Sequence, residues 1–266
     1  MTVDQWMSTT QGELEEAGVG TARLDTLVLL EDAVGRDRSW LLAHPEADLT
    51  EAQIKKLGSR LRRRVSHEPL AYIRGKTEFY GRDFLVNKDV LEPRSETETM
   101  IDLFKDLNLR EGARAVDIGT GSGAIGITAK LERPDCVVDL IDIDEKCLQI
   151  AGRNVYKFRL DLKLLRLDVL AHAAGPYDVI LANLPYVPDA HTINEAALHE
   201  PKIAIFGGED GLDLYRRLFA QLSAAKWKPV YILTEALPFQ HTALAAIAKS
   251  AGFKLSKTDD FIQLYK

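Results

Sequence analysis

The chain lacks any run approaching the ~18 consecutive apolar residues of a membrane-spanning helix, so no such span is expected. Cysteine is scarce. Cys136 and Cys147 are the only two in 266 residues, which excludes a disulfide framework and points to a reducing compartment. A basic excess is also missing: 34 Lys and Arg face 40 Asp and Glu, for a net charge of -6. That balance argues against a chain that lives on nucleic acid. The opening "MTVDQWMSTTQGELEEAG" has neither the Arg-rich nor the apolar character of a targeting segment, so a cytoplasmic location is expected. The histidines (His44, His67, His172, His191, His199 and His241) fall in no recognisable motif, and their spacing offers no metal site. There is no internal repeat and no low-complexity tract.

What is present is globular: 46% hydrophobic and 28% charged residues. This suits one large domain, or a medium domain with a small one. Residues 1–74 read as short helices. Leu24, Leu27, Val28 and Val34 lie at helical spacing before Gly35, a natural stop. Thr50 with Gln53 forms a capping box ahead of Ile54, Leu57, Leu61 and Val65. The basic run Arg60, Arg62, Arg63, Arg64 rides on that helix, either as a solvated face or as a docking surface for an acidic partner. Over 75–92 the pattern changes, and "KTEFYGRDFLVNKDV" suggests a hairpin about Gly81 that connects two domains.

Residues 93–266 begin with a helix near Ile101 to Leu107 and then alternate strand and helix. Strands are expected at "ARAVDIG", "VVDLIDID", "LKLLRLD", "YDVILAN" and "PVYILTEA". Helices are expected at "GAIGITAKL", "EKCLQIAGRNVYKF", "DGLDLYRRLFAQL" and "FQHTALAAIAKSAG". "FKLSKTDDFIQLYK" supplies one or two last strands, of antiparallel character. Apolar strands alternating with helices predict an α/β fold: a mostly parallel sheet with helices on both faces, preceded by a small helical domain.

Ligands of such sheets bind at the carboxyl ends of the strands. There, "VDIGTGSGAIG" places Gly119, Thr120, Gly121 and Gly123 between the first strand and its helix. Glycine permits the tight turn and close approach, and the helix start offers free N–H groups. Gly121, Gly123 and Gly126 also satisfy the dinucleotide pattern GxGxxG, which alone is weak. No Gly-Lys-Ser/Thr follows, which excludes a P-loop. Asp142 ends the second strand, where a carboxylate meets a ribose diol. Asp117 just before the glycines disfavours a pyrophosphate and suits an ammonium group. Asp168 after the third strand could take an adenine amino group or could cap a turn. Together these carboxylates suit a cationic nucleoside, of which S-adenosylmethionine is one.

"LANLPYVP" ends the fourth strand. Pro185 fixes its own φ and keeps Leu184 extended, so the backbone is pre-shaped. Asn183 brings one acceptor and two donors, and Tyr186 a flat face and a hydroxyl. Acceptors at the Asn183 oxygen and the Leu184 carbonyl suit a planar amide or aryl amino nitrogen held in line with a methyl donor.

These segments resemble the release-factor glutamine methyltransferases (HemK type). "ARLDTLVLLEDAVGRDRSWLLAHPE" is similar to that family's helical segment, and "SHEPLAYIRGKTEFYGRDFLVNKDVLEPRSETE" to its connector. "DIGTGSGAIGI" is similar to its cofactor loop, and "HEPKIAIFGGEDGLDLYRRL" to the segment that follows its Asn-Pro-Pro-Tyr motif. The resemblance implies a class I methyltransferase-type fold, S-adenosylmethionine as cofactor, and methylation of the glutamine in the Gly-Gly-Gln motif of peptide chain release factors. Residues 1–74 would dock the substrate, 75–92 connect, and 93–266 carry the chemistry. Asp117, Gly119, Thr120, Gly121, Gly123, Asp142, Asp168 and Asn183 would hold the cofactor. Asn183, Leu184, Pro185 and Tyr186 would grip the glutamine. Neither a metal, a membrane nor stable nucleic-acid binding is implied. Two departures stand out: Leu184 replaces the first Pro of the motif, and Glu92 and Ser95 depart from the connector pattern that Arg94 and Glu98 keep. Asn-Leu-Pro-Tyr also occurs in adenine-modifying enzymes, which makes an adenine-N6 methyltransferase acting on RNA or DNA the alternative. Its flipped base would need basic surface and stacking aromatics. A nicotinamide oxidoreductase fits the glycines but lacks an evident proton donor.

Overall fold

The structure, a computed structural model, describes residues 1–193 and 195–266. The chain divides into two compact units, one of Met1–Gly75 with residues 195–199, and one of the remainder from Lys76. Among the described residues, no helix is long and apolar enough to cross a membrane.

The first unit is helical: α1 (Val3–Glu16), α2 (Ala22–Val34), α3 (Arg38–Ala43), α4 (Glu51–Val65) and α5 (Leu70–Arg74). Capping boxes start α1 (Thr2 with Gln5) and α4 (Thr50 with Gln53), satisfying amides that the first turn leaves without carbonyl partners. Gly35, at φ 73°, ends α2. Trp6, Leu29, Leu30, Leu41, Leu57 and Ile73 form the core. Leu24, expected on the apolar face of α2, is instead exposed, and Asp25 is buried. The reason is the arginine run. Arg64 donates to Asp25 at 2.6 Å and so draws that face of the helix inward. Arg63 pairs with Glu68, and Arg60 lies 3.6 Å from Asp32. Three of its four side chains thus form ion pairs within the unit, while Arg62 and Arg63 stay exposed.

The second unit opens with the hairpin β1 (Lys76–Phe79) and β2 (Arg82–Leu85). Tyr80 and Gly81, at φ 52° and 69°, make its turn, the geometry that matches strand twist. Phe79 and Phe84 are fully buried with Met100 and Phe104 of α6 (Glu98–Lys105). Next come β3 (Arg114–Ile118), α7 (Ala124–Glu132), β4 (Val137–Asp142), α8 (Glu145–Lys157), β5 (Lys163–Arg166) and β6 (Val179–Ala182). After them follow α9 (Lys202–Ile205), α10 (Asp213–Ala224), β7 (Tyr231–Glu235), α11 (His241–Ser250), β8 (Leu255–Asp259) and β9 (Ile262–Tyr265).

The sheet order is β5-β4-β3-β6-β7-β9-β8. β3 to β7 pair in parallel, and β9 pairs antiparallel with both β7 and β8. Alternate strand residues face opposite layers. Ala115, Leu140 and Leu181 pack with α6, α7 and α8, whereas Val116, Ile141 and Ile180 pack with α10 and α11. Helices thus cover both faces, as the alternating pattern predicted. The chain reverses at a topological switch, since β4 and β6 flank β3. Register places Ile118 beside both Ile141 and Ala182, so Gly119 and Asn183 leave neighbouring strands at one level.

Gly126 shows packing overriding propensity. Glycine inside a helix costs about 1 kcal/mol relative to alanine. A Cβ at Gly126 would lie 2.2 Å from Leu140 and 2.9 Å from the Asp117 Cβ, so α7 could not lie this close to the sheet. The third glycine of the GxGxxG pattern therefore serves helix–strand contact.

Candidate functional site

At the carboxyl ends of β3 to β6 lies a cavity of about 400 Å³. Of the residues picked from sequence, Gly119, Gly121, Asp142, Asp168, Asn183, Leu184 and Pro185 line it; Asp117, Thr120, Gly123 and Tyr186 do not.

Asp117 lies beneath the glycine loop and is fully buried. Its Oδ2 accepts from the Thr120 hydroxyl at 2.5 Å and from the Gly126 amide at 2.9 Å. Burial pushes its pKa up to about 6, against the pull of those two bonds, and the nearby Asp142 charge adds to the rise. Thr120 and Asp117 thus build the loop from behind rather than face the cavity. The Gly119 and Thr120 amides donate to the Ile141 carbonyl, and Gly119, Gly121 and Gly123 all hold positive φ, which non-glycine residues resist. A Cβ at Gly123 would sit 2.9 Å from Ile127 Cδ1; this glycine serves the turn into α7.

Asp142 faces the cavity. Its Oδ2 accepts from the Gly121 amide and its Oδ1 from the Asp144 amide, both at 2.9 Å. Each oxygen keeps a further lone pair for a diol. Burial raises its pKa, and these amides oppose the rise. Asp168 lines the cavity but is held by Arg217, which reaches both of its oxygens at 2.8 and 3.0 Å. An adenine contact would have to share that carboxylate. Among the described residues, Asp89, Asp142, Asp144, Asp168 and Asp213 line the cavity against one cation, Arg217. This excess of carboxylate suits a positively charged ligand and repels a pyrophosphate.

The β6 end is held by residues the sequence did not flag. The Leu184 amide donates at 3.3 Å to the hydroxyl of Tyr215, a fully buried residue of α10 that also reaches the Ala182 and Glu235 carbonyls. Gln240 donates to the Tyr186 carbonyl at 2.7 Å. The "GGEDG" segment packs backbone to backbone against this turn: a Cβ at Gly211 would lie 2.0 Å from the Tyr186 carbonyl oxygen, and one at Gly207 2.3 Å from that of Pro185. Leu184, the departure from the Pro-Pro pattern, is buried with its Cδ2 3.1 Å from a Cβ built at Gly119. Its side chain therefore packs against the glycine loop. Tyr186 does not line the cavity and donates to Glu235 at 2.9 Å. Burial and that carboxylate hold its phenol well above its ordinary pKa. Among the described residues, neither the Asn183 Oδ1 nor the Leu184 carbonyl accepts a hydrogen bond. Both residues line the cavity, so two unpaired acceptors belong to its lining, on a backbone that Pro185 stiffens.

One wall of the cavity comes from Pro201, Ile203, Ala204 and Phe206. It is anchored by Glu200, a buried carboxylate that takes a 2.6 Å ion pair from Arg94. Glu92 accepts from the Thr77 hydroxyl at 2.9 Å and lies 3.7 Å from Arg94, so this departure from the connector pattern is absorbed locally.

Residues 5–75 match the PrmC N-terminal domain family, and residues 97–200 match the methyltransferase small domain family. The chain is 36% identical to the release factor glutamine methyltransferase of Koribacter versatilis, over 84% of this chain and 81% of the relative. It is 31% identical to that of Deinococcus radiodurans, over 93% and 90%. Among solved structures, the hMettl16 catalytic domain bound to the MAT2A 3'UTR hairpin 6 superposes with a TM-score of 0.56 at 14% identity, covering 82% of each chain. A methyltransferase from Pyrococcus furiosus superposes at 0.52 and 18% identity, over 78% of this chain and 96% of that one. At such identities these two likenesses concern the class I methyltransferase fold alone. Identity above 30% across both matched regions and most of each relative's length makes the chain a member of the release factor glutamine methyltransferase family.

Proposed function

We propose that this chain transfers a methyl group from S-adenosylmethionine to the side-chain amide nitrogen of the glutamine in the Gly-Gly-Gln motif of peptide chain release factors. The observation that carries the reading is the pair of acceptors, unpaired among the described residues, on two cavity-lining residues, Asn183 Oδ1 and the Leu184 carbonyl, on a turn fixed by Pro185, Tyr215 and Gln240. The donor set fits the cofactor: an acidic cavity for a cation, Asp142 for the ribose diol, and a glycine loop at Gly119 and Gly121 with no side chains in the way. When bound, S-adenosylmethionine supplies an electrophilic methyl on a sulfonium.

The chain's own residues do the rest. An amide nitrogen is a poor nucleophile because its lone pair is delocalised into the carbonyl. Acceptors on its two hydrogens hold it and favour the pyramidal form whose lone pair points at the donor. Positioning of this kind can supply up to ~7–11 kcal/mol of the barrier. Asn183 and Leu184 are placed for that task, and Pro185 limits the conformations they can sample. No strong base is required, since alkylation lowers the nitrogen's pKa. We further propose residues 1–74 as the docking domain for the release factor and 75–92 as its connector to the methyltransferase domain of 93–266. The test is transfer of labelled methyl to an intact release factor and to the same protein with its motif glutamine changed to glutamate. Label on the first and none on the second is expected; equal labelling of both would refute the assignment.

A further inference from the structure

Behind the cavity, on the side away from the glycine loop, three polar residues from distant parts of the chain meet. Asn183 Nδ2 donates to Thr97 Oγ1 at 3.1 Å. Thr97, at the N-terminal edge of α6, is 2% exposed, and Glu235, which ends β7, is 1% exposed. Glu235 Oε1 accepts from the Tyr186 hydroxyl at 2.9 Å, while its Oε2 is buried without a hydrogen-bond partner. A buried carboxylate oxygen left unpaired costs free energy, so its position calls for an explanation.

We propose that Glu235 and Thr97 form a positioning relay that sets the orientation of the Asn183 amide, and thereby which end of that amide meets the substrate. A carboxylate only accepts. Thr97, Tyr186 and Asn183 all turn donors toward Glu235 and favour its charged form, so Asn183 Nδ2 is drawn inward by Glu235 as well as by Thr97. The Thr97 oxygen is occupied as the acceptor of Asn183 Nδ2, so its own hydrogen is left for Glu235. Polarity then runs one way, from Asn183 N–H to Thr97 O–H to Glu235. With Nδ2 committed inward, Oδ1 is the end turned to the cavity, where an acceptor is needed. Reversing the amide would present N–H donors to the N–H groups of an amide substrate. The inference rests on the proposed function and names the residues that make its acceptor available. Neither Thr97 nor Glu235 lines the cavity, so both act through Asn183.

Glu235→Gln is the discriminating change. It conserves shape but puts an NH₂ where the carboxylate has a free oxygen. An NH₂ facing Thr97 cannot accept its hydrogen, so the hydroxyl loses the acceptor that fixes its direction, becomes free to donate to Asn183, and no longer holds the amide in one orientation. Thr97→Val removes the hydroxyl at constant volume, and Thr97→Ser keeps it. In the full-length chain with a release factor, Glu235→Gln and Thr97→Val should each lower kcat on the order of 100-fold, the scale of one misdirected transition-state hydrogen bond. S-adenosylmethionine affinity by calorimetry should stay within about 2-fold, because the glycine loop is not involved. Thr97→Ser should restore most of the kcat lost in Thr97→Val. A Thr97→Ser protein as slow as Thr97→Val, or kcat losses that track lost cofactor affinity, would overturn the relay. A readout independent of turnover separates the two claims. The side-chain amide protons of Asn183, followed by NMR, should be protected from exchange in the wild type and lose protection in Thr97→Val. Unchanged protection would sink the relay. A wild-type chain that shows this protection yet never methylates glutamine would sink the substrate reading and leave the relay standing.

Discussion

The ends of β3 and β6 lie side by side in the sheet and use their polar groups in opposite ways. At the β3 end the polar groups are turned inward to the loop, and the Asp117 Oδ1 is buried there without a partner among the described residues. Asp117 accepts from Thr120 and Gly126, and the Gly119 and Thr120 amides share one carbonyl. At the β6 end the internal bonds run to the Asn183 Nδ2, the Leu184 amide and the Tyr186 carbonyl, and they leave the Asn183 Oδ1 and the Leu184 carbonyl uncommitted among the described residues. One end is a frame whose interior bonds fix a loop shape; the other is a working surface whose interior bonds orient two acceptors. The difference explains why glycine dominates the first and a proline-stiffened, hydrogen-bonding sequence the second.

The largest break in that comparison should come from Asn183→Ala. Turnover should fall about 1000-fold, as when a key transition-state hydrogen bond is removed, while cofactor affinity by calorimetry stays nearly unchanged. Equal loss of both would make Asn183 part of the frame. Asp117→Asn tests the frame through stability. Folding raises the Asp117 pKa from 3.8 to about 6, so the folded wild type binds a proton more tightly than the unfolded chain. Wild-type stability from this group is therefore largest below pH 4 and lost as pH rises through 6. Relative to the variant, urea denaturation should show the ligand-free wild type gaining up to about 3 kcal/mol as pH falls from above 6 toward 4. A difference independent of pH would mean that the carboxyl is not buried as described. Asp142→Ala should weaken S-adenosylmethionine binding about 100-fold, the scale of two lost hydrogen bonds to a charged group, with release-factor KM little affected. Gly119→Ala is the smallest. A side chain at φ 70° costs about 1 kcal/mol, so a drop of roughly 5-fold in cofactor affinity is expected. Adding Leu184→Ala should recover part of it, because a Cβ at Gly119 would meet Leu184 Cδ2 at 3.1 Å.

Much of this was readable from the sequence, for reasons that can be named. Period-two apolar strands between amphipathic helices specified the α/β sheet, and the loop glycines, Asp142 and "LANLPYVP" all fall at strand ends, where local pattern is strong. Local pattern failed where the deciding contact was remote. Leu24 looked like core by spacing, yet an ion pair between Arg64 and Asp25, 39 residues apart, turns a different face inward. Asp117 looked like a ligand contact because it precedes the glycines, but the approach of α7 at Gly126 closes over it. Asp168 sits where expected and is claimed by Arg217. Gln240 and Glu235 carry no motif, and Thr97 and Tyr215 lie in segments that resemble the family without being singled out in them. Their roles depend on strands and helices that meet only in the folded sheet, and an excess of polar residues within otherwise apolar segments, such as Glu235 in "YILTE", was the one available sign.

The most direct measurement places the wild-type chain, S-adenosylmethionine, a release factor and a structured RNA in one reaction and locates the added methyl by mass spectrometry. The expected result is a methyl on the side-chain nitrogen of the Gly-Gly-Gln glutamine and none on the RNA. A methyl on adenine with unmodified glutamine would contradict it.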